Sequence, residues 1–240
     1  MKVCIIAIAK NENKYIQEWI DWHLGLGVDN VFICDNNDVD GEKMVVRGEK
    51  VNVLNYRGVR GVQTKAYTEC FVKYREGYDW LIFIDVDEFI VMEDGISIKE
   101  FLSRFNGVDI IRLCWKVFTG DSILNKGGVV ERFKTKLNTI ENCWGKSIIS
   151  GKMKYVGGYL KGHGYFDNPD LIVVSACGDP VSNKDMFICS PPVYKRAWIN
   201  HYPTKTLNEF LEQKFNRGGP NGNDRKYHSM DYFHRYNLPN

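Results

Sequence analysis

The sequence has no Cys-x-x-Cys pair, although it carries seven cysteines: Cys4, Cys34, Cys70, Cys114, Cys143, Cys177 and Cys189. Their odd number and wide scatter exclude the paired spacing of a structural zinc site and speak against a disulfide framework. Four of them stand in apolar runs, where cysteine behaves as a small buried hydrophobe. This is a reduced, cytosolic pattern. No apolar run approaches the ~20 residues that a membrane-spanning helix needs. There is no excess of either charge, 32 Lys+Arg against 30 Asp+Glu, which removes the electrostatic basis for a general nucleic-acid or membrane-surface role. Repeats and low-complexity segments are absent. The opening Met1–Ala9 has one basic residue and runs straight into Lys10-Asn11-Glu12-Asn13 without a cleavage signal, so it reads as a first strand and not as a leader.

What is present is the composition of an ordinary globular protein, 44% hydrophobic and 26% charged over 240 residues. We expect one domain over 1–240, with a first half to 120, a second half over 121–218 and a weakly patterned tail over 219–240. Strands are expected over 3–9, 28–34 and 51–56, with helices over 15–24 and 61–76 between them. Asn11 and Asn13 are the natural N-caps of the first helix. The apolar run Trp80–Ile84 reads as a strand buried on both faces, the mark of a central parallel strand. This β-α-β-β-α-β order predicts a doubly wound α/β sheet flanked by helices, with right-handed crossovers bringing the ends of its first, second and fourth strands to one edge. Ser97 caps a short helix before a buried strand over 108–115. From 116 to 195, glycines and lone aromatics suggest loops and an antiparallel extension. Pro203–Phe215 reads as an amphipathic helix with Thr206 and Glu209 as its capping box.

Three polar clusters fall at the carboxyl ends of predicted strands: Lys10-Asn11-Glu12, Asp35-Asn36-Asn37-Asp38 and Asp85-Val86-Asp87-Glu88. Ligands of open α/β sheets bind at that edge. In extended backbone Asp85 and Asp87 point the same way. Paired carboxylates of this kind suit Mg²⁺ or Mn²⁺ together with substrate phosphates. Read alone, an Asp-x-Asp is equally an acidic strand end in solvent.

The ordered set is more specific. Asn11-Glu12, Tyr15, Glu18-Trp19, His23, Gly27-Val28, Asp35-Asn36, Asp85-Val86-Asp87-Glu88-Phe89, His201-Tyr202, Lys205 and Arg217-Gly218 together resemble the GT-A fold glycosyltransferases, nearest to the family 2-like and family 92-like groups. The resemblance covers 1–120 well and 195–218 moderately; Lys146-Ser147-Ile148-Ile149 adds a looser match to family 92. It implies a metal-dependent hexosyltransferase acting on a nucleotide sugar, UDP-linked and inverting, with a carbohydrate or lipid-linked acceptor in polysaccharide or glycoconjugate synthesis. By the same resemblance, Ala7, Lys10, Asn11, Glu12 and Asp35 would line the nucleoside. Asp85 and Asp87 would hold Mn²⁺ or Mg²⁺ with His201 as a third ligand, and Lys205 and Arg217 would face the diphosphate. An inverting transfer also needs a general base. Glu88, Asp121 and Glu131 are the candidates, with Asp121 slightly favoured by its place in a loop after a buried strand. The implied protein is cytoplasmic, compatible with peripheral association at the inner face of a membrane. His23, on the apolar face of the first helix, reads as a hydrogen-bonded core residue. Two other readings compete: a haloacid-dehalogenase-like phosphohydrolase, whose Asp-x-Asp also follows an apolar strand, and a glycan-binding module on a transferase scaffold. Against the first, Glu88-Phe89 follow the motif where a small residue and Thr or Val are usual.

Overall fold

The computed structural model describes residues 1–120, 127–164, 166, 168–181, 191–215 and 228–237. Its strands are β1 Val3–Ala9, β2 Asn30–Asp35, β3 Val51–Asn55, β4 Trp80–Phe83, β5 Glu88–Met92, β6 Ile110–Val117, β7 Gly145–Ser150, β8 Val173–Ser175 and β9 Ala197–His201. The helices are α1 Ile16–Gly25, α2 Gln63–Tyr74, α3 Ile98–Leu102, α4 Val129–Arg132, α5 Leu207–Phe210 and α6 Met230–Arg235.

The strands form one mixed sheet in the order β3-β2-β1-β4-β7-β6-β9-β5, with β8 beside β6. The β3-β2-β1-β4 half is parallel. β7 then runs antiparallel between β4 and β6. The expected doubly wound α/β sheet with an antiparallel extension is therefore the one observed. Alternate residues of each central strand serve opposite cores, as a strand's two-residue period requires. Val3, Ile5, Ala7 and Ala9 of β1 join the core under α1 and α3, while Cys4 and Ile6 join the core under α2.

Long β6 changes partners along its length. Ile110–Cys114 pair with β7, and Trp115–Val117 pair with β9. β5 lies at the end of the sheet, and α1 closes it. Trp19 Nε1 donates to Glu88 O (2.7 Å), Trp22 Nε1 donates to Ile90 O (2.7 Å), and Ile90 N–H donates to His23 Nε2 (3.2 Å). The i, i+3, i+4 spacing of these rings puts them on one helix face. Their polar tips satisfy backbone groups that an edge strand otherwise leaves open.

Several local expectations change. α1 begins at Ile16 with Tyr15 as N-cap and no side-chain cap. Asn13 instead braces the neighbouring loop, donating to Lys43 O and accepting from Val45 N–H. Asn11 takes φ +59° and donates its N–H to Asn37 Oδ1 (2.7 Å). Ser97 and the Thr206–Glu209 capping box form as expected. The helix after Thr206 is α-helical for one turn and becomes π-helical over Leu211–Phe215. Of the expected tail, the described part contains α6, whose Tyr232 and Phe233 pack on Phe210 at centroid distances of 6.1 and 5.2 Å. Aromatic contact, not periodicity, orders it.

Candidate active site

The carboxyl ends of β1, β2 and β4 do converge, and the chain after β4 turns at once. Glu88 N–H donates to Asp85 O (3.1 Å), so Asp85-Val86-Asp87 is a turn and not extended backbone. The two aspartates consequently meet different partners. Asp85 accepts from Gln63 Nε2 (2.9 Å) and Tyr67 Oη (3.2 Å), both on α2, and pairs with Lys146 of β7 (2.8 Å). Asp87 is buried against Lys214, which donates to it, and lies 3.8 Å from His201 Nε2. The turn, absent from the reasoning on extended backbone, separates what two-residue spacing would have put side by side.

Electrostatics follow from burial. Burial alone would raise the Asp87 pKa, but Lys214 and His201 outweigh it and hold the carboxyl well below the usual range. Glu88 goes the other way: burial, opposed by Lys146 and reinforced by Asp85 and Asp87, raises its pKa well above a normal carboxyl. Burial works against the Lys146 ammonium, yet Asp85 and Glu88 prevail and raise its pKa. The edge thus holds two carboxyls pushed in opposite directions and a lysine held charged within one dry cluster.

The candidate residues fall into distinct groups. Glu12 is buried with Lys205 Nζ 3.9 Å away, and Lys205 also lies over the Tyr15 ring at 4.7 Å. Lys205 has φ +58°, a left-handed conformation that costs a non-glycine residue about 1 kcal/mol or more. Lys10 pairs with Asp38 (2.8 Å) at the rim. Asp35 is turned into its own loop, accepting from Asn37 N–H (3.0 Å), Met44 N–H (3.3 Å) and Arg57 (3.1 Å), so in this arrangement it organises residues 36–57 instead of facing a ligand. Ala7 is fully buried in the core under α1 and has no surface to offer a nucleoside. Among the base candidates, Glu88 is completely buried, with no surface for an acceptor to reach. Glu131 lies on α4 in a separate cleft of about 600 Å³ with Lys14, Tyr15, Glu18, Trp22 and Arg132, whose lining includes neither Asp85 nor Asp87. Asp121 and Arg217 lie outside the described residues.

The residues accept a divalent ion in part. Asp87 Oδ2 and His201 Nε2 stand 3.8 Å apart, so they would close by somewhat under 1 Å to become adjacent octahedral ligands, which at ~2.1 Å from one ion are about 3.0 Å apart. Among the described residues no third acidic, histidine or cysteine side chain completes a ligand set. Asp85 stands apart on Lys146.

Sequence reasoning did not single out Lys214, Gln63 or Tyr67. Lys146 had a usable signal, since a lysine inside the apolar run Gly145–Ser150 must be buried and therefore paired. His163 lies tilted against Trp115 and edge-on to Trp144, at centroid distances of 5.4 and 6.3 Å, and donates Nδ1–H to Gly145 O (2.9 Å). Burial, aided by Lys146, lowers its pKa to about 4.

The parallel half, whose strand ends gather carboxylates and lysines, and the antiparallel extension that closes it make a mixed α/β sheet with one polar edge. Residues 1–152 match the family model described as glycosyltransferase family 92, and the chain belongs to that family. Glycosyltransferase family 92 proteins of Arabidopsis thaliana and Oryza sativa are 34% and 29% identical to it over 124 and 108 residues, 46% and 43% of this chain but 21% and 18% of theirs. The chain thus spans about a fifth of the length of these curated relatives. Among solved structures, S. aureus TarS in complex with UDP aligns with a TM-score of 0.42 at 14% identity, covering 63% of this chain and 47% of that one. That likeness is too slight to build on.

Proposed function

We propose that this chain transfers a hexose from a nucleotide sugar, UDP-linked, to a carbohydrate or lipid-linked acceptor with inversion, using Mn²⁺ or Mg²⁺. The observation that carries the reading is the Asp87–His201 pair beside Lys205 and Lys214, at the carboxyl edge of a family 92 sheet. When bound, the ion neutralises charge on the departing nucleoside diphosphate without a proton donor. Asp87 and His201 would hold it. Lys205, kept in its left-handed conformation between Glu12 and the field of Asp87, supplies a fixed positive charge for the diphosphate. Lys214 shares the oxygen of Asp87 that faces His201 and would move toward the phosphates when the ion arrives. Family membership favours this reading over the phosphohydrolase and the glycan-binding module.

Thermal unfolding with ligands tests it. UDP with Mn²⁺ should raise the Tm, by mass action worth about 2.7 kcal/mol at a hundred-fold excess over Kd. Asp87→Asn should remove the Mn²⁺-dependent part, and hydrolysis of one UDP-sugar in a panel should follow the same pattern. No shift with any nucleoside diphosphate and either metal would refute the proposal.

A further inference from the structure

Lys146 is the best-enclosed cation at this edge. Its Nζ lies 2.8 Å from Asp85 Oδ2, 2.8 Å from Gly162 O and 3.9 Å from Glu88 Oε1. These are two carboxylates and a backbone carbonyl, the hard oxygen set that a divalent cation also seeks. The side chain is almost fully buried, and β7 is held on both sides, Lys146 standing opposite Leu113 of β6 while Ser147 pairs with Phe83 of β4. Its backbone therefore has little freedom to withdraw. Gly162 belongs to the segment that also supplies His163 O to Arg112 and Ser147. Glu88 Oε2 accepts the Asp85 N–H (2.9 Å), whereas the fully buried Glu88 Oε1 makes no hydrogen bond and has only the distant ammonium to answer it.

We infer that Lys146 is a resident cation of the carboxylate cluster, occupying beside Asp85, Glu88 and Gly162 O the place a divalent ion would otherwise take, and so confining any such ion to the Asp87–His201 side. This deepens the reading of the edge as a donor site and rests on it for its meaning. Asp85 then serves as counter-ion and anchor of Lys146, with Gln63 and Tyr67 fixing its other oxygen. The ammonium would add a positive charge to the edge that also carries Asp87 and His201, and it needs no ion from solution to do so. Exchanging it for a divalent ion would require its removal from all three oxygens within a dry site.

Mn²⁺ binding followed by electron paramagnetic resonance of the free ion, with and without UDP, tests this. Lys146→Met should bind Mn²⁺ without nucleotide at least about ten-fold more tightly than wild type, because a positive charge within ~4 Å has been removed. Adding Asp85→Asn to that variant should abolish the gain. In the otherwise unaltered protein, Asp85→Asn should change Mn²⁺ affinity in the presence of UDP by less than about three-fold, and Asp87→Asn should weaken it at least about ten-fold. This second arm decides the matter if Lys146→Met does not fold. The inference is overturned if Lys146→Met folds and gains no Mn²⁺ affinity, or if Asp85→Asn costs as much as Asp87→Asn. Failure of the wild type to bind UDP with Mn²⁺ would instead overturn the proposed function, and the nucleotide-free Mn²⁺ arm would still decide the place of Lys146.

Discussion

His23 makes the stability of this protein depend on pH in a calculable way. The imidazole is fully buried, donates Nδ1–H to Trp19 O (2.8 Å) and accepts Ile90 N–H at Nε2 (3.2 Å). Both ring nitrogens are committed to the neutral tautomer, and a second proton would displace the Ile90 donor from the end of the sheet. Burial lowers its pKa from 6.5 to about 3, the Trp19 carbonyl opposing only in part. Because the folded value lies below the unfolded one, the unfolded chain takes up the proton first. The stabilisation is therefore complete above pH 6.5 and declines as pH falls from there toward about 3. At 1.36 kcal/mol per unit, the 1.5 units between 6.5 and pH 5 remove about 2 kcal/mol. His163, lowered to about 4, adds a slope of the same sign. The assay must therefore compare wild type with a variant. His23→Leu should cost about 1–3 kcal/mol at pH 7 by leaving the Ile90 N–H unpaired. The gap between the two proteins in urea unfolding, followed by tryptophan fluorescence, should shrink by about 2 kcal/mol at pH 5. A gap identical at both pH values would refute this account of His23.

Other perturbations have equally defined outcomes. Gly151→Ala would place a Cβ 2.0 Å from Tyr78 O and 2.4 Å from Arg75 O, both backbone, and should lower unfolding stability by about 1–3 kcal/mol. Thr206→Ala removes a capping box and should cost about 1 kcal/mol by the same measurement. Arg132 and Glu209 are buried together at 2.9 Å, and Arg132→Met should cost about 1–3 kcal/mol, Lys14 (3.1 Å) and the Thr206 N–H (3.0 Å) remaining on the carboxylate.

The parallel half was legible because its signals are local and periodic. The apolar runs at 3–9 and 80–84 and the helical spacing of Ile16, Trp19, Ile20 and His23 each specify an element without reference to the rest of the chain. The capping box at Thr206 and Glu209 is local in the same sense. What the sequence hid depends on contacts between distant residues. Asp85 and Asp87 have the spacing of a strand pair, but the Glu88 N–H to Asp85 O bond makes a turn there. Lys146 and Lys214 reach the aspartates from 61 and 127 positions away, and no periodicity encodes such pairing. Asp35 stands at the end of β2 as expected, while the distant Arg57 and two backbone amides of its own loop take up its oxygens. An element's existence can be read from the chain; the direction of a charged side chain cannot.

The partner exchange along β6 has a mechanical consequence. Leu113 of β6 is in register with Lys146, and Val117 of the same strand is in register with His201. The two cationic or ligating walls are thus fixed points about 13 Å apart on a single rod, four residues at ~3.3 Å each. Neither can shift along that rod without breaking a ladder of backbone hydrogen bonds. Lys205 and Lys214 hang from the segment that leaves β9, tied in by the Thr206 cap and by the bond from Lys214 to Pro203 O. The C-terminal arm is thereby referred to the same rod, because Tyr202 N–H, at the exit of β9, donates to Asp87 O (2.9 Å).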